Sequence, residues 1–533
     1  MKKVVFFICC LLCFCPFLIK AMEVNVDKRE SIGGSGTDVF NSTISTPDGG
    51  YVAVGYTDSE DFDDLTNIGY EDGLIVKFDK SGNVEWKRVF GGTDDEKFND
   101  VALTNDGGYV VVGDTVSADI EDFPELDTYA GLIVKYSKDG ELVSKHFFDF
   151  ANSDHFESVV TLDDGSLVVV GYFDFPGEED FEDILSPDFV PSENVNDYFN
   201  SFIFKLSSDF QPQWIDALTG NGDDYYTSVS MDKNGDFIVI GNTDSTDIEG
   251  LDVKGNSDSI IVKYSKDGEL VWRKIWGGNG YDYFNSFVED GAGNFIVVGN
   301  TDSTDITNIA NTDDNFKSVL IKYNKEGNII FEKTFDGNNN HSYHDVLLTA
   351  NDSFVVVGQL DSDNIDSMPN KGYNDALIVG YDKDGKLLWK SSFGGDGFDS
   401  FDYIVMNEDG KYFVSGNTDS EDLENIPNKG YEDILLNSYL VNYDVVSSDS
   451  EQGTYTVSQR GSEGVVLVTP KRGYEVKEVV VKRSDNTSLE VTKLEDDTYV
   501  FPLYDDVSVE VLFVETLVNP KTGVKSMIGV VFT

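Results

Sequence analysis

Residues Gly277–Phe335 read GGNGYDYFNSFVEDGAGNFIVVGNTDSTDITNIANTDDNFKSVLIKYNKEGNIIFEKTF, and this stretch decides the fold. It contains four short runs rich in Val, Ile and aromatic residues, which are Tyr283–Val288, Asn294–Gly299, Ser318–Tyr323 and Asn328–Thr334. Gly, Asn and Asp separate the runs, and these residues favour tight turns. The stretch therefore predicts four consecutive β-strands joined by turns.

The glycine that closes the second run recurs along the chain, at Gly55, Gly113, Gly171, Gly241, Gly299, Gly358 and Gly416. The intervals are 58, 58, 70, 58, 59 and 58 residues. Seven copies of a four-strand unit at a nearly fixed period are typical of a β-propeller, in which four-stranded sheets pack around a channel. We predict an all-β chain with a seven-bladed β-propeller over residues 22–440.

One additional strand precedes the first full repeat. Asn25–Gly34 aligns with Asn83–Gly92, the last strand of the first repeat, whereas the seventh repeat ends near Leu440 without that strand. Pairing of the N-terminal strand with the seventh sheet would remove the open edge between the first and last blades. We therefore expect Glu23–Ile32 to complete the seventh blade.

The start of the chain has the pattern of an export signal. Two lysines precede the apolar run Val4–Ile19, and Ala21 is a small residue suited to cleavage, so residues 1–21 are predicted to be a signal peptide. A retained membrane anchor and a lipid-modified Cys15 are the alternatives. All four cysteines lie in the first fifteen residues, so the exported chain would contain no disulfide or thiolate metal site.

The charge of the chain limits its partners. The formal net charge is −59, from 98 acidic and 39 basic residues. Such a surface repels nucleic acid and anionic lipid, so neither is expected as a partner. The chain is 13% aromatic, and its regular strand runs argue against disorder. We expect a secreted or surface-bound monomer from a Gram-positive-type exporter.

Three segments carry a resemblance to known repeats. They are Asp106–Gly113 (DGGYVVVG), Asp258–Gly268 (DSIIVKYSKDG) and Gly299–Asp305 (GNTDSTD). The pattern resembles the bacterial SBBP family of seven-bladed propeller repeats over roughly residues 25–440. No catalytic motif belongs to that family, so the resemblance implies a non-catalytic propeller. The third repeat differs by an insertion, Phe173–Asp197, which by length and composition is expected to be a surface loop.

Residues 441–516 follow a different pattern. Valine alternates with polar residues in Lys477–Lys482 and Val507–Leu512, which predicts half-exposed strands of a small separate β-domain. Pro470–Tyr474 and Tyr499–Leu503 make this segment similar to the divergent internalin B-repeat family. That resemblance implies a stalk or spacer module on a bacterial surface.

The tail, residues 517–533, contains Asn519, Pro520, Lys521, Thr522 and Gly523. This motif is similar to a sortase sorting signal of the LPxTG class with Asn in place of Leu, which implies anchoring to the cell wall. The segment after it is shorter than the usual apolar span and has no basic cluster. A truncated sorting signal is the preferred interpretation, and an accidental match is the alternative.

An Asp-Ser-x-Asp loop follows the second strand in four repeats. The pairs are Asp58/Asp61, Asp244/Asp247, Asp302/Asp305 and Asp419/Asp422. Asp and Ser side chains often hydrogen-bond their own backbone in tight turns, and this is the preferred interpretation. The alternative is calcium, which takes about six to eight oxygen ligands that paired carboxylates can partly supply. No other cofactor is expected.

Each first strand starts with an aromatic residue that is followed by a variable polar residue. The polar set is Asn41, Asn99, Glu157, Thr227, Asn285, His344 and Asp402. If the first strand is innermost, these side chains lie at one mouth of the channel and form a candidate ligand ring. The sequence thus predicts a propeller that binds an extracellular polysaccharide or protein. A glycan hydrolase or quinoprotein-like enzyme with its site at the channel mouth, or a structural spacer, are the alternatives.

Overall fold

The computed structural model describes residues 17–19, 21–174, 198–518 and 525–526, apart from gaps of one to three residues. Most of the insertion predicted at Phe173–Asp197, the chain before Phe17 and the motif Asn519–Gly523 lie outside the described residues. The described secondary structure is entirely β. In the part of the chain described, no helix is long and apolar enough to cross a membrane.

The strands are numbered in chain order. The first two are β1 (Phe17–Ile19) and β2 (Ala21–Ile32), so the predicted cleavage residue Ala21 begins β2. Sheet 1 contains β3 (Asp38–Ser45), β4 (Tyr51–Thr57), β5 (Asp72–Phe78) and β6 (Val84–Phe90). Sheet 2 contains β7 (Glu96–Leu103), β8 (Tyr109–Thr115), β9 (Ala130–Tyr136) and β10 (Leu142–Phe148). Sheet 3 contains β11 (Asp154–Thr161), β12 (Leu167–Asp174), β13 (Phe199–Leu206) and β14 (Pro212–Leu218).

The pattern continues through four further sheets. Sheet 4 contains β15 (Asp224–Met231), β16 (Phe237–Thr243), β17 (Asp258–Tyr264) and β18 (Leu270–Trp276). Sheet 5 contains β19 (Asp282–Glu289), β20 (Phe295–Thr301), β21 (Lys317–Tyr323) and β22 (Ile329–Thr334). Sheet 6 contains β23 (His341–Leu348), β24 (Phe354–Leu360), β25 (Asp375–Tyr381) and β26 (Leu387–Phe393). Sheet 7 contains β27 (Tyr403–Met406), β28 (Tyr412–Thr418), β29 (Asp433–Tyr443) and β2, which lies beside β29.

The remaining strands belong to a second compact unit. They are β30 (Val446–Asp449), β31 (Gly453–Arg460), β32 (Glu463–Pro470), β33 (Tyr474–Arg483), β34 (Thr492–Lys493), β35 (Thr498–Pro502), β36 (Val507–Glu515), β37 (Leu517–Val518) and β38 (Lys525–Ser526). β30, β31, β32, β35 and β34 form one sheet, and β1, β36 and β33 form another. The predicted alternation in β36 is confirmed, because Val507, Val509 and Val511 are buried while Ser508 is half-buried.

Burial follows the position of each strand within its sheet. In β20 nearly every side chain is buried, whereas β22 is an exposed or half-buried edge strand. The four strands predicted within Gly277–Phe335 are therefore all present. The apolar core lies between neighbouring sheets. Phe156 of sheet 3, for example, packs in one cluster with Val110 of sheet 2.

Sheet 7 contacts sheet 1 as other sheets contact their successors. Between sheets 4 and 5, the Asp282 amide donates to the Ser257 carbonyl at 2.8 Å. Between sheets 7 and 1, the Asp38 amide donates to the Glu432 carbonyl at 2.9 Å. Side chains of β28 and β29 also share an apolar cluster with those of β3 and β4.

A β-bulge explains why glycine marks the period. In β19 the register shifts between Phe284 and Ser286, so Asn285 is the extra residue and Phe284 lies opposite Gly299. A Cβ on Gly299 would overlap the carbonyl oxygen of Tyr283. The same overlap with the first strand recurs at Gly55, Gly113, Gly171, Gly241 and Gly358, and at Gly416 the overlap is with the Ser400 carbonyl, just before β27. Glycine is required because the bulge presses the backbone of the first strand onto that of the second.

We expect Gly299→Ala to destabilise the protein by about 3 kcal/mol, the upper part of the range for overpacking, because the contact is backbone against backbone. Gly250→Ala is the control. Gly250 has a φ of +82° and open space around its Cβ position, so only backbone strain of roughly 1–2 kcal/mol applies. Urea unfolding of both variants measures the difference. Equal losses of stability would contradict the bulge explanation.

Four interfaces between consecutive sheets each bury two carboxyls. The pairs are Asp72/Glu96, Asp258/Asp282, Asp375/Asp399 and Asp433/Asp38. At Gly277, an ideal Cβ would lie 2.6 Å from Asp258 Oδ1 and 2.7 Å from Asp282 Oδ2, so the two carboxyls converge on one point. Burial raises the pKa of Asp282 to about 6, and the charge of Asp258 adds to the effect. Each pair is therefore costly when both members are ionised.

We expect the protein to be more stable at pH 5 than at pH 7.5. Burial, with the charge of Asp399, raises the pKa of Asp375 from 3.8 to about 6. Between the unfolded pKa of 3.8 and the folded pKa of about 6, the folded state holds more protons than the unfolded chain. The free energy of unfolding therefore falls as the pH rises through this window. Asp375→Asn should raise the melting temperature at pH 7.5 and reduce the difference between the two pH values.

Asp106→Asn is the matched control for this pH effect. The hydrogen bond from Lys135, at 2.8 Å, lowers the pKa of Asp106 to about 2, so its titration lies below pH 5. The control should leave the difference in melting temperature between pH 5 and pH 7.5 unchanged. A protein whose melting temperature is equal at both pH values, or higher at pH 7.5, would contradict the role of the carboxyl pairs.

Candidate functional site

The seven variable polar residues all line one cavity of about 870 Å³. We call Asn41, Asn99, Glu157, Thr227, Asn285, His344 and Asp402 the bulge ring. For sheets 1 to 6 the expectation that they lie at the start of the first strand is wrong, because there the strand begins two residues before the aromatic residue. In sheets 1 to 6 they occupy the fourth strand position, where the bulge is, and Asp402 directly precedes β27.

A second ring of side chains lines the same cavity, and the sequence reasoning missed it. It consists of the residues that follow the bulge ring, Ser42, Asp100, Ser158, Ser228, Ser286, Asp345 and Tyr403. The extra residue of each bulge lets two successive side chains face the cavity instead of one. The serine that recurs at this position in four repeats was the available signal.

Two carboxyls of the second ring join neighbouring sheets. Asp100 accepts hydrogen bonds from Ser42 Oγ at 2.7 Å and from Ser158 Oγ at 2.8 Å. Asp345 accepts from Ser286 Oγ at 2.6 Å and from the Ile404 amide at 2.9 Å. Burial raises the pKa of both carboxyls, although these hydrogen bonds oppose the rise. Their acceptor capacity is used mainly to hold three sheets together.

Most of the bulge ring is also used between sheets. Each asparagine of the ring donates a hydrogen bond from Nδ2 to a carbonyl of the following sheet, that of the aromatic residue that precedes the next ring member. The bonds run from Asn41 to Phe98 (3.0 Å), from Asn99 to Phe156 (3.1 Å) and from Asn285 to Tyr343 (2.7 Å). These three asparagines are therefore structural links as well as cavity residues.

His344 and Asp402 link sheets 6 and 7. His344 Nδ1 lies 2.6 Å from Asp402 Oδ1. Asp402 Oδ2 accepts from Ser400 Oγ at 2.8 Å and from Asn417 Nδ2 at 3.1 Å. The carboxylate thus fixes the imidazole ring by its Nδ1 side, as a positioning carboxylate does in many histidine sites.

Glu157 and Thr227 break this pattern. Within the described residues, the Glu157 carboxyl bonds the Tyr172 hydroxyl of its own sheet, and Thr227 Oγ1 makes a 3.4 Å contact with the Ile240 carbonyl, also in its own sheet. Burial raises the pKa of Glu157 to about 8, with a further rise from the Asp114 charge. Sheets 3 and 4 therefore present ring residues that are not committed to the following sheet.

A group of aromatic rings adjoins Glu157, and the sequence reasoning missed it as well. The Tyr172 ring stacks on His155 at 4.7 Å and meets Tyr225 edge-on at 4.8 Å. Burial alone would lower the pKa of His155, but the hydrogen bond and charge of Asp114 raise it overall. Phe199 is 5.3 Å from Tyr172, and both residues lie close in sequence to the insertion.

The Asp-Ser-x-Asp loops bind a different loop from the one expected. Asp302 Oδ1 accepts from the Tyr281 amide at 2.5 Å, and Asp305 Oδ1 accepts from the Asn279 amide at 2.8 Å. Corresponding bonds involve Asp58, Asp61, Asp244, Asp247, Asp419 and Asp422. The expectation that these side chains bond only their own turn is therefore wrong, because the loop before the first strand supplies these donors. Asp61 also accepts a hydrogen bond from its own backbone, as expected.

Calcium at these loops stays a prediction. In the described part of the chain, no group of three or more His, Cys, Asp or Glu side chains is arranged to hold a metal ion. Each loop carboxylate has one oxygen bonded to a backbone amide, as a capping carboxylate does.

Repeated four-stranded sheets that pack on one another place the chain in the β-propeller class. No protein-family model and no curated protein matches the sequence. Among solved structures, the Pan2 WD40 domain of Neurospora crassa is 8% identical, with a TM-score of 0.41 over 75% of this chain and 89% of that one.

Two further structures give similar values. A fungal alcohol oxidase of the AA5 family in complex with copper is 12% identical, with a TM-score of 0.43 over 90% of this chain and 94% of that one. YCF48 bound to D1 peptide is 12% identical, with a TM-score of 0.40 over 79% and 97%. At these scores the likenesses add nothing to the sheet arrangement described above.

We expect Asp302→Ala to destabilise the protein by about 1 kcal/mol, because the Tyr281 amide loses its acceptor. Asp302→Asn keeps an acceptor oxygen and should cost less. Thermal melting with calcium and with EDTA measures both the losses and any bound ion. A calcium-induced rise in melting temperature that Asp302→Asn abolishes would contradict the capping role and support a metal site.

Proposed function

We propose that the protein is a secreted, surface-displayed, non-catalytic β-propeller that binds an extracellular polysaccharide or protein in its central cavity. We propose further that the propeller has seven blades and is closed by its N-terminal strand. The cavity carries the binding function, and the second unit acts as a spacer.

Contacts between the last and first sheets support the closed ring. The backbone hydrogen bond from the Asp38 amide to the Glu432 carbonyl corresponds to the one from the Asp282 amide to the Ser257 carbonyl between sheets 4 and 5. The Phe413 ring of sheet 7 lies 4.7 Å from the Tyr51 ring of sheet 1. The first and seventh sheets are thus joined by backbone and core contacts of the kind that join consecutive sheets.

The observation that supports binding is the break in the bulge ring at Glu157 and Thr227. The other five residues of the bulge ring form hydrogen bonds between sheets. A ring with only a structural role would be expected to form such bonds in every repeat. In repeat proteins, departures from the repeat such as insertions often lie on the binding face, and Tyr172, the partner of Glu157, lies close in sequence to the insertion of the third repeat. Surface display is supported by the sequence alone, through the leader that ends at Ala21 and the sorting-like motif Asn519–Gly523.

An enzyme is the second candidate, and the contact between His344 and Asp402 favours it. A carboxylate that holds one imidazole nitrogen leaves the other available for proton transfer. If this pair is catalytic, His344→Ala should abolish any turnover detected with the full chain. Unchanged turnover in that variant would rule out the pair as the catalytic site.

Glycan arrays and pull-down of extracellular proteins with the full chain test the binding proposal. Thr227→Trp would fill part of the cavity and should weaken binding at least about tenfold, which is a loss of about 1.4 kcal/mol. Thr246→Trp, at an exposed loop position, is the control and should leave affinity unchanged. Binding that survives Thr227→Trp unchanged would contradict the central cavity as the site.

A further inference from the structure

The ionisable side chains that line the cavity are mostly acids. They are the four carboxyls Asp100, Glu157, Asp345 and Asp402, the two phenols Tyr283 and Tyr403, and one base, His344. The described lining contains no lysine or arginine. His344 is already paired with Asp402, so the cavity holds no free positive group in its described wall.

The fields of these carboxyls add at one place. Burial raises the pKa of the Tyr403 hydroxyl well above its usual value, and charges from four carboxyls of sheets 2, 3, 6 and 7 raise it further. All four carboxyls line the same cavity, and their charges all act on the Tyr403 hydroxyl, so their fields overlap in that cavity. An anion there would be repelled, and a cation would be attracted.

Among the four carboxyls of the described wall, Glu157 has the most acceptor capacity left. Asp100 and Asp345 each accept several hydrogen bonds from the protein, and Asp402 accepts three. Glu157 has the Tyr172 hydroxyl as its hydrogen-bond partner. A carboxylate has about four lone-pair sites, so most of those of Glu157 are available to a ligand.

Aromatic rings in the wall favour an organic cation over a metal ion. Tyr283, Phe398 and Tyr403 line the same cavity as Glu157. Faces of aromatic rings attract ammonium and guanidinium groups by cation–π interaction. The protein uses this contact elsewhere, for example between Arg29 and the Phe393 ring at 4.1 Å.

We propose that the cavity takes an organic cation, the lysine or arginine side chain of a basic peptide segment, with Glu157 as its counter-ion. The inference rests on the proposed function and selects a protein ligand over a polysaccharide. A net charge of −59 would steer such a segment toward the molecule from a distance. A guanidinium would meet the carboxylate through two parallel N–H···O bonds.

Proton release should accompany binding. Glu157 is largely protonated at neutral pH in the free protein, so an entering cation would displace the proton from its carboxyl to solvent. Affinity should therefore rise with pH between about 6.5 and 8.5. The titratable groups that act on Glu157 are Asp100, Asp114, His155, Tyr172 and Tyr403.

Isothermal titration of the full chain with N-acetyl-arginine amide tests the proposal, and the uncharged isostere N-acetyl-citrulline amide is the matched probe. We expect the arginine probe to bind at least about tenfold more tightly than the citrulline probe at pH 8.5. Glu157→Gln should remove that preference. Glu121→Gln, an exposed carboxyl outside the cavity, should keep it.

Thr227→Trp is a second variant that leaves Glu157 in place and blocks the cavity, so the test does not depend on a single substitution. The proposal is overturned if both probes bind equally, if Glu157→Gln keeps the preference, or if the arginine probe does not bind. A neutral oligosaccharide whose binding Thr227→Trp abolishes would overturn this inference and leave the proposed function standing. Absence of any cavity-dependent ligand would overturn both.

Discussion

The contact between a bulged first strand and a glycine of the second strand sets the geometry on which the rest depends. At Gly299 the carbonyl of Tyr283 occupies the space of a side chain, and each repeat has an equivalent contact. A bulge adds a residue without lengthening the partner strand, so the extra side chain must turn out of the sheet. Seven such contacts deliver fourteen side chains to one cavity.

The same geometry creates two uses for a polar residue in the cavity. It can bond to the neighbouring sheet, as Asn99 does, or it can remain available to a ligand. Hydrogen bonds between sheets satisfy groups that would otherwise be buried without partners. Glu157 does not serve this structural purpose, and it keeps a raised pKa that a scaffold does not need. The division of the ring into bonded and available residues is what connects the fold to the proposed binding.

Much of the local structure could be predicted from the sequence, and contacts between repeats could not. The spacing of Gly299 and its equivalents predicts the repeat, and valine-rich runs predict strands, because both signals lie within a few residues. The bulge ring could be predicted because its residues vary between repeats, whereas the residue before each of them is always aromatic. By contrast, Asp302 bonds to an amide 21 residues earlier, and Asp258 faces Asp282 across a sheet interface.

No local pattern specifies such partners, because the pairing depends on how sheets stack. The serine of the second ring recurs in four repeats, as turn residues also do, so its recurrence does not reveal its role. Its side chain faces the cavity because of the bulge, which the sequence does not show. The aromatic rings around Tyr172 come from four strands of two sheets, 3 and 4, so their proximity becomes visible only when the sheets are assembled.

Closure of the ring is the central claim, because one shared cavity requires the first and last sheets to meet. Thr43 Oγ1 and Ser415 Oγ are 3.0 Å apart, although 372 residues separate them in sequence. The double variant Thr43→Cys/Ser415→Cys, in a chain whose four native cysteines are replaced by serine, measures this contact. The account predicts an intramolecular disulfide in the monomer, seen as a faster band on a non-reducing gel. Two free thiols under oxidising conditions, or disulfides only between molecules, would contradict it.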